Sequence, residues 1–224
     1  MKNKAVCATL SVCMALLIIS LSIAFPIYFR PFYYMQIDGL GITEETGLTK
    51  DDIKDSYDSL LDYLTIPWKG FSTGAFEYSE EGASHFRDCR VLFGINTIVL
   101  VLSLTLVAVI CVLFRLGKLG LDPIIPARAM LYAGVAVLAI FLSVALLALL
   151  DFDGIFELMH VRLFPNKDNW VFDPSTDGII LALPEKFFKR CAIAIATLGL
   201  TLSLGAVIAS KIIINRKKTR RTPA

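Results

Sequence analysis

Four apolar runs dominate the chain: Ala5 to Phe29, Val91 to Phe114, Ala127 to Leu150 and Cys191 to Ile214. Each meets the roughly 20 apolar residues that a helix needs to cross a hydrocarbon core. Only Arg128 and Lys211, near the ends of their runs, bring a charge into them. Between the runs lie two long polar segments, residues 30–90 and 151–190. The pattern predicts a mainly α, polytopic membrane protein: a four-transmembrane-helix bundle with a small cap built from the two long loops. Residues 1–224 read as a single integral membrane domain. Composition agrees, with 56% hydrophobic residues against the roughly 45–50% of soluble domains and a mean hydropathy of +0.67.

The first run follows Lys2 and Lys4, as the core of a secretory signal would. It is longer than the usual 7–15 apolar residues of such a core, and no small-x-small cleavage site follows it. Phe25, Pro26, Tyr28 and Phe29 look instead like an aromatic exit into the interface, so the run reads as an uncleaved anchor.

Charge orients the bundle. The N-terminus, the connection between the second and third runs (Arg115, Lys118, Arg128, Asp122) and the tail (Lys211, Arg216, Lys217, Lys218, Arg220, Arg221) hold 11 basic residues and 1 acidic one. The loops 30–90 and 151–190 carry 6 and 5 basic residues against 12 and 7 acidic. The positive-inside rule then predicts cytoplasmic termini and extracytoplasmic loops in a multi-pass protein. The net charge of +2 hides this segregation and gives no reason to expect nucleic acid. The basic tail suits anionic lipid.

Inside the first loop, residues 36–48 read as a turn-rich connector or short hairpin. Thr49 to Asp52 has the form of a capping box, opening a helix with Ile53, Tyr57, Leu60, Leu61 and Leu64 on one face and Asp51, Asp55, Asp58 and Asp62 on the other. Pro67-Trp68-Lys69-Gly70 ends it, and residues 71–78 read as a short strand. His85 falls in the first turns of the second membrane helix, where unpaired N–H groups disfavour an imidazolium. The third helix is expected to run past Leu150 along Phe152, Phe156, Met159 and Leu163 until Pro165, with His160 on that stripe. Asp173-Pro174 and Asp177-Gly178 are turn signals. Each histidine can be a structural loop or core residue as well as a reactive one.

Cys7, Cys13 and Cys111 sit in apolar helices as packing residues. Cys89 and Cys191 both fall near the outer interface, where a disulfide between them is chemically allowed. No phosphate-binding glycine loop, metalloprotease helix or Gly-x-Ser-x-Gly elbow is present. Two histidines and a carboxylate make three zinc ligands, but no His-x-x-x-His spacing supports them, so no metal is expected.

The words Ser79-Glu80-Glu81-Gly82-Ala83-Ser84-His85-Phe86, His160 to Phe164, Asn169-Trp170, Phe172-Asp173-Pro174, Asp177 and Leu183-Pro184 with Phe187-Phe188 resemble, in order and spacing, the four-helix bacterial lipoprotein intramolecular transacylases. The resemblance implies an acyltransferase of the cell membrane that acts on diacylglyceryl-modified lipoproteins. It would move the sn-2 acyl chain onto the α-amino group of the N-terminal cysteine, giving a lyso-form lipoprotein, without a cofactor. The essential histidine pair of the family falls on His85 and His160. On this reading His160 is the base and His85 its electrostatic partner. Asn169 or Trp170 supplies an oxyanion donor, Asp173 or Asp177 orients a histidine, and the protein works as a monomer whose partners are its lipoproteins and membrane lipid. Two other readings use the same residues: an ester hydrolase with water as nucleophile, and a non-enzymatic four-helix membrane adaptor.

Overall fold

The computed structural model describes residues 2–219, so Arg220 and Arg221 of the basic tail lie outside the described residues. Those described are mainly helical, with no strand among them. Four long helices are apolar enough to cross a membrane: α1 (Lys2–Tyr28), α6 (Glu80–Arg115), α7 (Ile125–Leu150) and α10 (Glu185–Thr219). Between them come α2 (Pro31–Tyr34), α3 (Ile37–Leu40), α4 (Ile42–Thr46), α5 (Lys50–Thr65), α8 (Phe152–Leu163) and α9 (Ile179–Ala182).

Packing divides the described residues into two units. The first comprises the described parts of Met1–Ile23, Thr97–Leu146 and Ile195–Ala224. Its helices pack closely: Cys7 and Leu10 meet Ile125 and Ala129. A Cβ at Gly134 would lie 2.9 Å from the Ser203 carbonyl oxygen, and one at Gly199 would fall on the Phe141 ring. With lipid outside, close backbone approach of this kind replaces the hydrophobic drive that water supplies elsewhere. Lys217 donates to the Pro123 carbonyl, so one basic residue of the tail meets the short α6–α7 connection.

The second unit, Ala24–Asn96 with Leu147–Ala194, holds the larger core. The capping box forms as read: the Thr49 hydroxyl accepts from Asp52 N–H, and the Asp52 carboxylate accepts from Thr49 N–H. From there α5 turns Ile53, Tyr57, Leu60, Leu61 and Leu64 inward. Tyr57 stacks on Tyr33 with ring centroids 3.8 Å apart, and the buried Tyr33 hydroxyl donates to the Ala182 carbonyl at 2.8 Å. The acidic face is partly neutralised, because Arg30 bridges Asp58 and Asp62 and Lys69 joins Asp62. Arg90 closes the end of α5 by donating to the carbonyls of Ile66, Pro67 and Lys69 while lying over the Tyr63 ring.

Three local expectations are corrected. Residues 36–48 make no hairpin; Gly41 and Gly47, at φ 71° and 67°, end the short helices α3 and α4 in the left-handed conformation, the usual use of glycine at a helix C-terminus. Residues 71–78 are not a strand. Gly74 turns the chain there at φ 65°, and the turn is tied to α5 where the Ala75 N–H donates to Ser56 Oγ. The third membrane helix does not run through to Pro165. Asp151 leaves helical geometry at φ −154°, ψ 90°, accepts a hydrogen bond from Gly154 N–H and starts α8 anew. An aspartate at an N-cap competes with the helical ladder for those N–H groups, which an apolar stripe alone does not reveal.

Candidate active site

The candidate site lies within the second unit. The first eleven residues of α6 carry Glu80, Glu81, Arg87, Asp88 and Arg90 and precede its apolar span. His85 stands in the second turn of this polar portion, and His160 stands on α8. Their ring centroids lie 5.8 Å apart with the planes 29° from parallel. Both residues are buried, at 5% and 8% exposure.

Aromatic rings enclose the pair. Phe164 and Phe172 present their edges to His85 at 4.9 and 5.4 Å. Phe156 lies 4.4 Å from the His160 ring, and Trp170 stacks on it at 4.8 Å. Loss of water in this apolar enclosure, followed by repulsion from His160, lowers His85 to about 4. Neutral His85 agrees with the sequence reading, but the leading cause is burial rather than the helix terminus.

Hydrogen bonds give the two rings different free atoms. His160 Nδ1–H donates to the Phe156 carbonyl at 2.8 Å. A carbonyl can only accept, so the proton sits on Nδ1 and Nε2 keeps its lone pair. On His85 it is Nε2 that is engaged, 3.3 Å from Cys89 Sγ, while Nδ1 has no hydrogen-bond partner among the described residues. Cys89 and Cys191 are free thiols, so the disulfide does not form.

Asn169 joins the site through its amide nitrogen, which donates to Ser84 Oγ and Asp88 Oδ2 at 3.4 Å each. Its buried Oδ1 has no partner among the described residues. The free atom is therefore an acceptor, contrary to the expected oxyanion donor. Trp170 is likewise committed, its Nε1–H donating to the Lys167 carbonyl at 3.1 Å, so its ring face is what it offers the site. Lys167 pairs with Asp88 at 2.6 Å, and that bond holds the Asp88 carboxyl below its ordinary range. Glu81, Ser84, Lys167, Asp168, Asn169 and Val171 line an open cleft of about 470 Å³.

The two expected orienting aspartates reach neither histidine. Asp173 accepts from the Ser175 N–H and hydroxyl within its own turn. Asp177 is 4% exposed and accepts from the Ser79 N–H at 2.9 Å and the Ser79 hydroxyl at 2.8 Å. Ser79 in turn caps α6 through Gly82 N–H at 2.9 Å. A Cβ at Gly82 would strike the Asp177 carboxylate. Asp177 thus ties the loop bearing Phe172 to the helix bearing His85. Replacing it with alanine strands two donors at a helix N-terminus, so about 2 kcal/mol of stability should be lost, read as a lower thermal midpoint in detergent.

Asp88, Lys167 and the phenylalanines of the enclosure have no role assigned by the sequence, and Cys89 has only that of a candidate disulfide partner. Asp88 and Cys89 stand three and four residues beyond His85 on a helix, a spacing that does bring side chains together. The Lys167–Asp88 pair spans 79 positions and has no local signal.

Comparisons with known proteins agree on one family. The family described as lipoprotein intramolecular transacylase Lit matches residues 8–188. No match is found among curated proteins. The structure of the membrane-integral lipoprotein intramolecular transacylase Lit from Bacillus cereus is 29% identical, with a TM-score of 0.85, over 97% of this chain and 98% of that one. Structures of that Bacillus cereus protein with the H85R and H85A substitutions have TM-scores of 0.79 at 26% and 27% identity. They cover 98% and 97% of this chain and 95% and 96% of theirs. With a family match across most of its length, four apolar helices and a whole-chain structural likeness, this chain belongs to the lipoprotein intramolecular transacylase family and is a membrane-integral acyltransferase.

Proposed function

We propose that the protein moves the sn-2 acyl chain of a diacylglyceryl-modified lipoprotein onto the α-amino group of its N-terminal cysteine. The site faces the extracytoplasmic side of the cell membrane and both termini are cytoplasmic, as the distribution of basic residues favours. The observation that carries the reading is the free Nε2 of His160, held as a lone pair by the Phe156 carbonyl beside a second, buried imidazole.

The chemistry needs a base and a donor. An α-amino group has a pKa near ~8 and must be neutral to attack. His160 Nε2 takes the ammonium proton, and the amine nitrogen adds to the ester carbonyl. The oxyanion that develops accepts a hydrogen bond from His85 Nδ1–H. As the carbon–oxygen bond to glycerol breaks, protonated His160 gives its Nε2 proton to the leaving oxygen, then takes the surplus proton from the new amide nitrogen and releases it to solvent. An amide forms, an ester is lost, and a free sn-2 hydroxyl remains. Asn169 Oδ1 accepts from the attacking N–H and aligns it, and the Trp170 face holds His160 in place. Amine and ester arrive on one molecule, so the enzyme supplies orientation rather than encounter.

Expression with a diacylated reporter lipoprotein, in a host lacking its own N-acyltransferase, tests this. The N-terminal lipopeptide should keep its mass while its fragments carry an acyl chain on nitrogen. A mass lower by one chain would establish hydrolysis instead, and one higher by a chain would establish transfer from a separate donor. An unchanged free amine, with the protein in the membrane, would leave the adaptor reading.

A further inference from the structure

Cys89 lies one helical turn beyond His85, with Sγ 3.3 Å from Nε2. Of the two ways to place a proton there, one is chemically stronger. An imidazole nitrogen is a good acceptor and a thiol has one S–H to give, whereas sulfur accepts poorly from N–H. Burial keeps the thiol protonated, pushing it up to about 12. The S–H then donates to Nε2 and the ring hydrogen resides on Nδ1, the nitrogen that no other group engages among the described residues.

We propose that Cys89 is a positioning residue for acyl transfer, holding His85 as the Nδ1–H tautomer so that a neutral imidazole presents a donor to the oxyanion. The inference rests on the proposed roles of the two histidines. Both rings then carry hydrogen on Nδ1 and yet act oppositely. In His160 that hydrogen is consumed by the Phe156 carbonyl and the lone pair is offered; in His85 the lone pair is consumed by the thiol and the hydrogen is offered. Asp88, Lys167 and His160 are the charged or titratable groups acting on His85 besides Cys89.

The full-length protein, labelled with ¹⁵N-histidine in detergent micelles, gives signals from only two histidines, assigned with His85→Gln and His160→Gln. Wild type should show His85 with a protonated Nδ1 and an unprotonated Nε2. Cys89→Ala should move it toward the Nε2–H form and lower kcat for transfer about tenfold to a hundredfold, short of losing the donor itself, with KM little changed. Cys89→Ser, which keeps a donor, should restore the tautomer and most of the rate. An Nε2–H tautomer in wild type, an unchanged tautomer in Cys89→Ala, or full activity of that variant would overturn the proposal. So would a hydroxylamine-labile acyl group on Cys89, which would make the thiol a nucleophile. Because the tautomer is read without turnover, an active His85→Gln enzyme would refute the role proposed for His85 and leave the spectroscopic result standing on its own.

Discussion

Replacing His160 with glutamine should lower transacylation by about 10²- to 10⁴-fold, the usual contribution of a positioned general base. Glutamine preserves much of the size and can still meet the Phe156 carbonyl through its amide N–H, but it cannot take up a proton at neutral pH. The enclosure formed by Phe156, Phe164 and Trp170 should therefore survive while the chemistry is lost. The measurement is the rate at which the reporter lipopeptide gains an N-acyl fragment, normalised to inserted protein. Rescue is the stronger check. If proton removal is what is missing, raising the pH toward and above ~8, where the α-amino group deprotonates unaided, should recover more activity in His160→Gln than in wild type. A uniform deficit at every pH would assign the histidine a structural role.

His85→Ala should cost about 10²- to 10³-fold, as removal of one oxyanion donor does, and without that rescue by high pH, because the role proposed for His85 is that of a donor rather than a base. The double variant should be less impaired than the product of the two losses, since residues that act on one transition state are not additive. Stability carries its own signature. His85 titrates near 6.5 in an unfolded chain and at about 4 in the folded one, so between those values the unfolded chain binds more protons. The contribution of the neutral, buried ring is fully present above pH 6.5 and is lost as pH falls toward 4. His85→Ala should lack that part of the acid sensitivity between pH 7 and 5, although the deleted side chain also leaves a cavity. Thermal midpoints in detergent at the two pH values separate the terms, because the cavity penalty is common to both and the protonation term is not.

Much of the architecture needed no tertiary information. Run length alone identifies four membrane-crossing helices, since a backbone in hydrocarbon must satisfy its own hydrogen bonds. Thr49 and Asp52 announce the start of α5, because a capping box is a purely local exchange. Where a local choice depends on a distant partner, the sequence pattern is a poor guide. The turn at Gly74 is held by Ser56, and the glycines at 41 and 47 serve as helix ends once Ile37 and Ile42 are buried in the core. Asp151 is a single polar residue ahead of an apolar stripe, and as an N-cap it cuts that stripe from α7.

The site divides along the same line. The rarity of histidine in the chain, and the words around His85 and His160, single out those two residues before any fold is known. The separate roles proposed for them rest on contacts that composition cannot express: which ring nitrogen meets a carbonyl, which meets a thiol, and how little water remains around each. The aspartates illustrate the limit most clearly. On the resemblance, Asp173 or Asp177 orients a histidine; in space, Asp177 satisfies the N-terminus of α6 and Asp173 its own turn. Hydrophobic periodicity and capping act over a few residues and can be read from the chain. Proton placement is set by atoms within hydrogen-bond reach, and two of the elements that bring those atoms together, at residues 79 and 177, are 98 positions apart.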